Sequence, residues 1–314
     1  MKTLGIGNGQ LASSRLAYGC WRIAGSSSPS QVTAQDFENG KRAIVSAYEY
    51  GYSMFDNADI YSGGIAEKIL GEVLKEIPGM RKRIVIVTKC GVRRTGDSNP
   101  DAPYRYDFSS DYIINSCEGS LKRLGIETID IYLLHRPDYL CNPYEVAEAF
   151  DKLYRAGKVR GFGVSNFSPS QLEMLQKYCP YKLLVNQIEI SLLETSAFED
   201  GRLDQCIKEQ ITPMAWSPLA GGIISKSATA SSKKFSDDKI SRVCGMLDKI
   251  AKQRNTTRTV IALSFLLKHP SHIIPIVGTT NPERIRDAAM ADDVQLTREE
   301  WYSLLEASRG SRLP

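Results

Sequence analysis

Eight short apolar runs recur along this sequence, and each gives way to a stretch with helical spacing. The runs are 16–19, 52–56, 84–88, 129–134, 161–164, 183–187, 212–216 and 273–277. Strands that alternate with helical segments pair in parallel through crossover connections, and eight of them close on themselves. The expected fold is therefore α/β, a (β/α)8 TIM barrel. Residues 1–20 are Gly-rich and weakly alternating. They read as a β-hairpin plug ahead of the first barrel strand. The helical spacing is plain in 110–124, where Ile113, Cys117, Leu121 and Leu124 share a face and Gly125 follows as a left-handed cap. A hydrophobic share of 42% over 314 residues supports one large core. The composition does not break anywhere, so 1–314 reads as a single barrel domain.

Three of the runs end on unusual residues. The second ends at Asp56, and Tyr61 follows in the polar turn Asn57-Ala58-Asp59-Ile60. The third, Arg83-Ile84-Val85-Ile86-Val87-Thr88-Lys89, is β-branched until it reaches a lysine. The fourth, Ile129-Asp130-Ile131-Tyr132-Leu133-Leu134-His135, is apolar until it reaches a histidine. Parallel neighbours bring these ends to one rim, where barrel enzymes carry out chemistry. Each residue alone has a plain structural reading as a cap, a packing residue, a solvated cation or a hydrogen-bonder. Four of them in order on neighbouring strand ends point instead to a site. An ammonium about 4 Å from a phenolate attracts it by on the order of 4 kcal/mol at an effective dielectric of ~20. Lys89 is thus expected to lower the Tyr61 pKa by roughly one to three pH units. That would tune Tyr61 as a general acid, with Asp56 as the lysine's counter-ion and His135 aimed at a carbonyl oxygen.

This set resembles the aldo-keto reductase family, in its bacterial-like branch with a short C-terminus. The similarity continues through Gly161-Phe162-Gly163-Val164-Ser165-Asn166-Phe167, Asn186-Gln187-Ile188-Glu189, Trp216-Ser217-Pro218-Leu219 and Gly278-Thr279-Thr280-Asn281-Pro282-Glu283-Arg284-Ile285, and covers nearly the whole chain. The resemblance implies an NADP(H)-dependent reduction of aldehydes or ketones to alcohols, with Tyr61, Asp56, Lys89 and His135 catalytic and no metal. It implies that Asp56, Ser165, Asn166 and Gln187 meet the nicotinamide end of the cofactor and that Trp216 stacks on its ring. Ser217, Leu219 and Gly221 would line the pyrophosphate, and Thr279 and Arg284 would meet the 2′-phosphate. Gly278 stands where many members have a lysine, yet Arg284 keeps a forked phosphate donor, so NADP(H) is favoured over NAD(H). Trp21 is either a wall of the site or a contact to the core or plug. A regulatory subunit that senses the cofactor and turns over slowly is the alternative function. A hydrolase or lyase built on His135 and Asp56 is the remaining rival.

The glycine patterns agree with a barrel rather than a doubly wound domain. No G-x-G-x-x-G follows a strand and no G-x-x-x-x-G-K-[ST] occurs. Phosphates are expected in the loops after strands seven and eight. Two segments stand apart. Residues 93–109 form a polar loop with Tyr104, Tyr106 and Phe108, either a functional loop or a disordered insertion. Residues 221–239 read as a mobile surface loop. A formal net charge of +4 is too small and too dispersed for nucleic-acid binding. Seven scattered cysteines without C-x-x-C fit a reducing compartment. No long apolar run is present. A cytoplasmic monomer acting on a small carbonyl compound, without membrane attachment, is the expectation.

Overall fold

The computed structural model describes residues 1–7, 9–97, 99–225 and 233–313. A hairpin of β1 (Thr3–Ile6) and β2 (Leu11–Ser14) precedes the barrel. The barrel strands are β3 (Ala17–Gly19), β4 (Met54–Asp56), β5 (Val85–Cys90), β8 (Ile131–Leu134), β9 (Phe162–Ser165), β10 (Leu183–Glu189), β11 (Thr212–Trp216) and β12 (Ile274–Val277). They close in that order, and every neighbouring pair is parallel. Between β5 and β8 lies a small antiparallel hairpin, β6 (Val92–Arg93) with β7 (Arg105–Tyr106). The described parts of segment 93–109, 93–97 and 99–109, are thus joined by this hairpin and by an Arg93–Asp107 ion pair at 3.0 Å, and residue 98 lies outside the described residues.

Among the described residues ten helices surround the sheet: α1 (Ala34–Glu49), α2 (Ile65–Glu76), α3 (Ser110–Leu124), α4 (Pro143–Arg155), α5 (Pro169–Tyr178), α6 (Arg202–Lys208), α7 (Asp237–Gln253), α8 (Arg258–Leu267), α9 (Pro282–Ala289) and α10 (Arg298–Arg309). Local chemistry sets their ends. Thr33, Ser168 and Thr297 form reciprocal capping boxes at the starts of α1, α5 and α10. Gly125 closes α3 at φ 65°, a conformation that favours glycine. Of the 221–239 stretch, 226–232 lies outside the described residues. Its C-terminal flank is tied down by Lys234 to Glu189 at 2.6 Å and by the Ser236 cap of α7.

Two-residue alternation decides what faces inward. Met54, Val85, Val87, Ile131, Leu133, Val185 and Met214 fill the barrel with Ile6 of the plug. Phe55, Ile86, Tyr132, Phe162 and Val164 point outward into the helix layer. Advancing each inward row by one step gives Asp56, Lys89, His135, Gln187 and Trp216, all at the C-terminal mouth. The plug seals the opposite end, with the Gly7 amide on Thr212 Oγ1 at 2.8 Å. β5 runs on to Cys90, so Lys89 is the last inward position of the strand rather than its end.

Candidate active site

Lys89 is fully buried at the top of the interior column begun by Val85 and Val87. Its ammonium lies 2.8 and 2.9 Å from the two Asp56 oxygens, 2.6 Å from the Asn57 carbonyl and 3.0 Å from the Tyr61 hydroxyl. The turn carrying Tyr61 hangs on the same strand. The Asn57 amide donates to the Val87 carbonyl at 2.8 Å and the Asp59 amide to the Lys89 carbonyl at 3.1 Å. Backbone pairing thus fixes the lysine-to-phenol distance. His135 stands edge-on to Tyr61, ring centroids 5.8 Å apart. All four residues predicted from the strand ends meet here.

The electrostatics differ from the expectation at one point. Burial works against the Lys89 charge, but the Asp56 carboxylate and the Tyr61 oxygen outweigh it and hold the lysine above its ordinary value. For Tyr61, burial dominates. It raises the phenol, and the pull of Lys89 does not reverse it because Asp56 opposes that pull. The expected fall in the Tyr61 pKa is therefore corrected to a rise, and the resting phenol keeps its proton. Burial, Lys89 and Arg136 together push His135 well below the usual histidine value, so its ring is neutral at physiological pH.

A chain of hydrogen bonds, running through the Gln187 backbone carbonyl, links this cluster to the facing wall. Gln187 Nε2 donates to Asp56 Oδ1 at 2.7 Å, and Ser165 Oγ to the Gln187 carbonyl at 2.9 Å. Asn166 Nδ2 donates to Ser165 Oγ at 2.8 Å, and Trp216 Nε1 to Asn166 Oδ1 at 2.9 Å. Around it opens a cleft of ≈ 1210 Å³. That exceeds an ordinary small-ligand pocket of roughly 300–1,000 Å³ and leaves room for two bound molecules. Asp56, Tyr61, His135, Ser165, Asn166, Gln187, Trp216, Ser217, Leu219, Gly221, Gly278, Thr279 and Arg284 all line it. Trp21 lines it as well and is 56% exposed, which decides for the wall and against a core contact. Of the loop aromatics, Tyr104 faces the cleft, whereas Phe108 is buried against Phe167.

The residues at the far end fit a phosphate-bearing ligand. Ser217 and Ala220 hold positive φ at 50°, and Gly221 and Gly222 follow at 68° and 100°. Backbone held in that region by non-glycine residues is concentrated at ligand sites. A Cβ on Gly221 would meet nothing within 4 Å, and one on Gly278 would meet only the Gly19 carbonyl at 4.0 Å. α9 begins beside them, its amide at Arg284 capped by Asn281 Oδ1 at 3.1 Å.

Sequence reasoning missed the layer beneath. Glu67 on α2 is fully buried and accepts from Thr88 Oγ1 and Arg123 Nε, both at 2.6 Å. Asp59 accepts from Ser116 Oγ at 3.1 Å, and its Oδ1 is buried without a partner among the described residues. Burial, then the Glu67 charge, pushes Asp59 up to about 7. Between the ordinary aspartate value of about 4 and about 7, the folded chain holds a proton that the unfolded chain has released. Stability therefore falls as pH rises through that window. Asp59→Asn is expected to flatten this slope in thermal melts and to gain on the order of 1–2 kcal/mol above the window, after discounting for partial exposure. A wild-type melt with no slope there would overturn this assignment.

A closed parallel barrel with its polar cluster at the C-terminal mouth matches a known family. The chain belongs to the aldo/keto reductase family, whose model matches residues 15–309. It is 38% identical to the 6-dehydroglucose reductase of Novosphingobium aromaticivorans, over 98% of this chain and 96% of that protein. It is also 38% identical to the 6-dehydroglucose reductase of Agrobacterium fabrum, over 97% of each. The solved glycerol dehydrogenase of Gluconobacter oxydans superposes with a TM-score of 0.86 at 26% identity, covering 99% of this chain and 97% of that one. Among the described residues no helix is long and apolar enough to cross a membrane.

Proposed function

We propose that this chain reduces a small polar aldehyde or ketone to the alcohol, using NADP(H), with Tyr61 as the proton donor. The observation that carries the reading is the Lys89 ammonium held between the Asp56 carboxylate and the Tyr61 hydroxyl at the barrel mouth. When bound, the cofactor supplies the hydride. The protein's residues do the rest. His135, neutral, orients the carbonyl oxygen, and Tyr61 gives that oxygen its proton. Lys89 then stabilises the phenolate that remains, and Asp56 keeps the lysine charged in a water-poor site. In sum, carbonyl, reduced cofactor and one solvent proton become alcohol and oxidised cofactor. The two relatives named for 6-dehydroglucose support a hydroxylated aldehyde as the substrate class.

Ser165, Asn166, Gln187 and Trp216 would hold the nicotinamide end. Ser217, Leu219 and Gly221 would hold the pyrophosphate, with Gly278, Thr279 and Arg284 at the adenosine end. Arg284 is exposed on the cleft, and no carboxylate pairs with it among the described residues. Fluorescence titration with NADPH and NADH is expected to show tighter binding of NADPH. Arg284→Leu is expected to narrow that preference by ~10–100-fold, the worth of a charge-assisted hydrogen bond to phosphate. Steady oxidation of NADPH by a panel of aldehydes tests the reaction itself. Tight NADPH binding with no turnover on any of them would favour the regulatory alternative.

A further inference from the structure

Arg284 serves the adenosine end of the cleft, yet three more arginines line its other half. Arg22 follows β3, Arg94 follows β6, and Arg136 follows His135. Among the described residues none of the three is within ion-pair distance of a carboxylate. The carboxylates that line the cleft, Asp56 and Asp287, are already paired with Lys89 at 2.8 Å and Arg286 at 3.0 Å. Arg22 is exposed and lies over the Trp21 ring. Arg94 and Arg136 are half-buried. Arg94 Nη2 donates to the Ile60 carbonyl at 2.5 Å, beside the catalytic turn. The Arg136 guanidinium sits 5.3 Å from the centre of the Trp216 ring. Both cations and Tyr104 line the same cleft as Tyr61 and His135.

A guanidinium stays charged at any working pH. Holding two of them half-desolvated without a counter-ion costs free energy, which an arriving anion would recover. Each has a planar fork of donors suited to a carboxylate or a tetrahedral oxyanion. We propose that Arg136 and Arg94, with Tyr104, form a substrate subsite for an oxyanion. Preferred substrates are then compact aldehydes or ketones carrying a carboxylate or phosphate group a few atoms from the carbonyl. This rests on the reductase reading and narrows its substrate class.

The test compares kcat/KM with NADPH for matched pairs, succinic semialdehyde against butanal and glyceraldehyde 3-phosphate against glyceraldehyde. In the wild type, the charged member of at least one pair should be favoured by ~10–100-fold. The pair that responds tells carboxylate from phosphate. Arg136→Leu should cut that ratio about tenfold, and Arg94→Leu should cut it less, since one of its donors is held by Ile60. Should the arginine variants fail to fold, the wild type still decides: succinate or, where the phosphate pair responds, glycerol 3-phosphate should inhibit butanal reduction competitively, and succinamide and glycerol should not. Equal efficiency within both pairs overturns the subsite while leaving the reductase reading intact. A preference that survives in the Arg94→Leu, Arg136→Leu double variant also overturns it. Failure to turn over either member of either pair removes the reductase reading, and the subsite falls with it.

Discussion

Tyr61→Phe is expected to bind NADPH as the wild type does and to lose turnover by on the order of 10²–10⁴-fold, the usual worth of a positioned proton donor. Phe keeps the ring that stands against His135 and removes only the oxygen that Lys89 contacts at 3.0 Å. Single-turnover oxidation of NADPH, with cofactor affinity measured separately, gives both quantities. The pH profile is the sharper check. Because burial raises the Tyr61 pKa, reduction should stay level through neutral pH and decline only in the alkaline range, as the phenol loses its proton. That alkaline limb should be absent in the Phe variant. His135 is neutral throughout this range and adds no limb of its own near neutrality. A Phe variant that keeps near-normal turnover would remove Tyr61 from the chemistry.

The direction of that shift marks the boundary of what the sequence can say. Asp56, Lys89 and His135 were legible because each interrupts an apolar run at an inward position, and period-two alternation carries them to the rim. Proximity of a lysine to a tyrosine could be inferred from strand order. The balance of forces on the phenol could not, since burial is a property of the closed barrel and the Asp56 charge sits on the far side of the ammonium. The hairpin of β6 and β7 was unreadable for another reason. Two-residue strands carry no alternation, and their pairing joins residues on either side of a polar stretch. Glu67 reads as a solvated charge in any helix pattern. It is buried because Thr88, outward beside inward Lys89, and Arg123 from α3 both reach it. Arg136 was in plain view after His135, but only the cleft shows that its charge has no acid within ion-pair distance among the described residues.

Lys89→Met tests the same cluster from the side of stability and should have the largest effect on folding. The methionine fills much of the volume in a column of apolar residues, so little is lost in packing. Asp56 is the problem. Its carboxylate is buried, and with the ammonium gone the one side-chain donor it keeps among the described residues is Gln187 at 2.7 Å. Removing one partner of a buried pair usually costs about 3–5 kcal/mol, because the other charge is left uncompensated. Thermal and denaturant unfolding should show a loss of that size, together with a loss of turnover at least as large as in Tyr61→Phe. Asp56→Asn combined with Lys89→Met removes both charges and should recover most of the stability, since apolar or neutral replacement of a buried pair is often nearly neutral. Turnover should not recover with it. If the ion pair served only to hold the barrel together, a stable double variant would regain activity. If the ammonium is there to stabilise the phenolate that Tyr61 becomes, the double variant is a well-folded protein that binds NADPH and does not reduce.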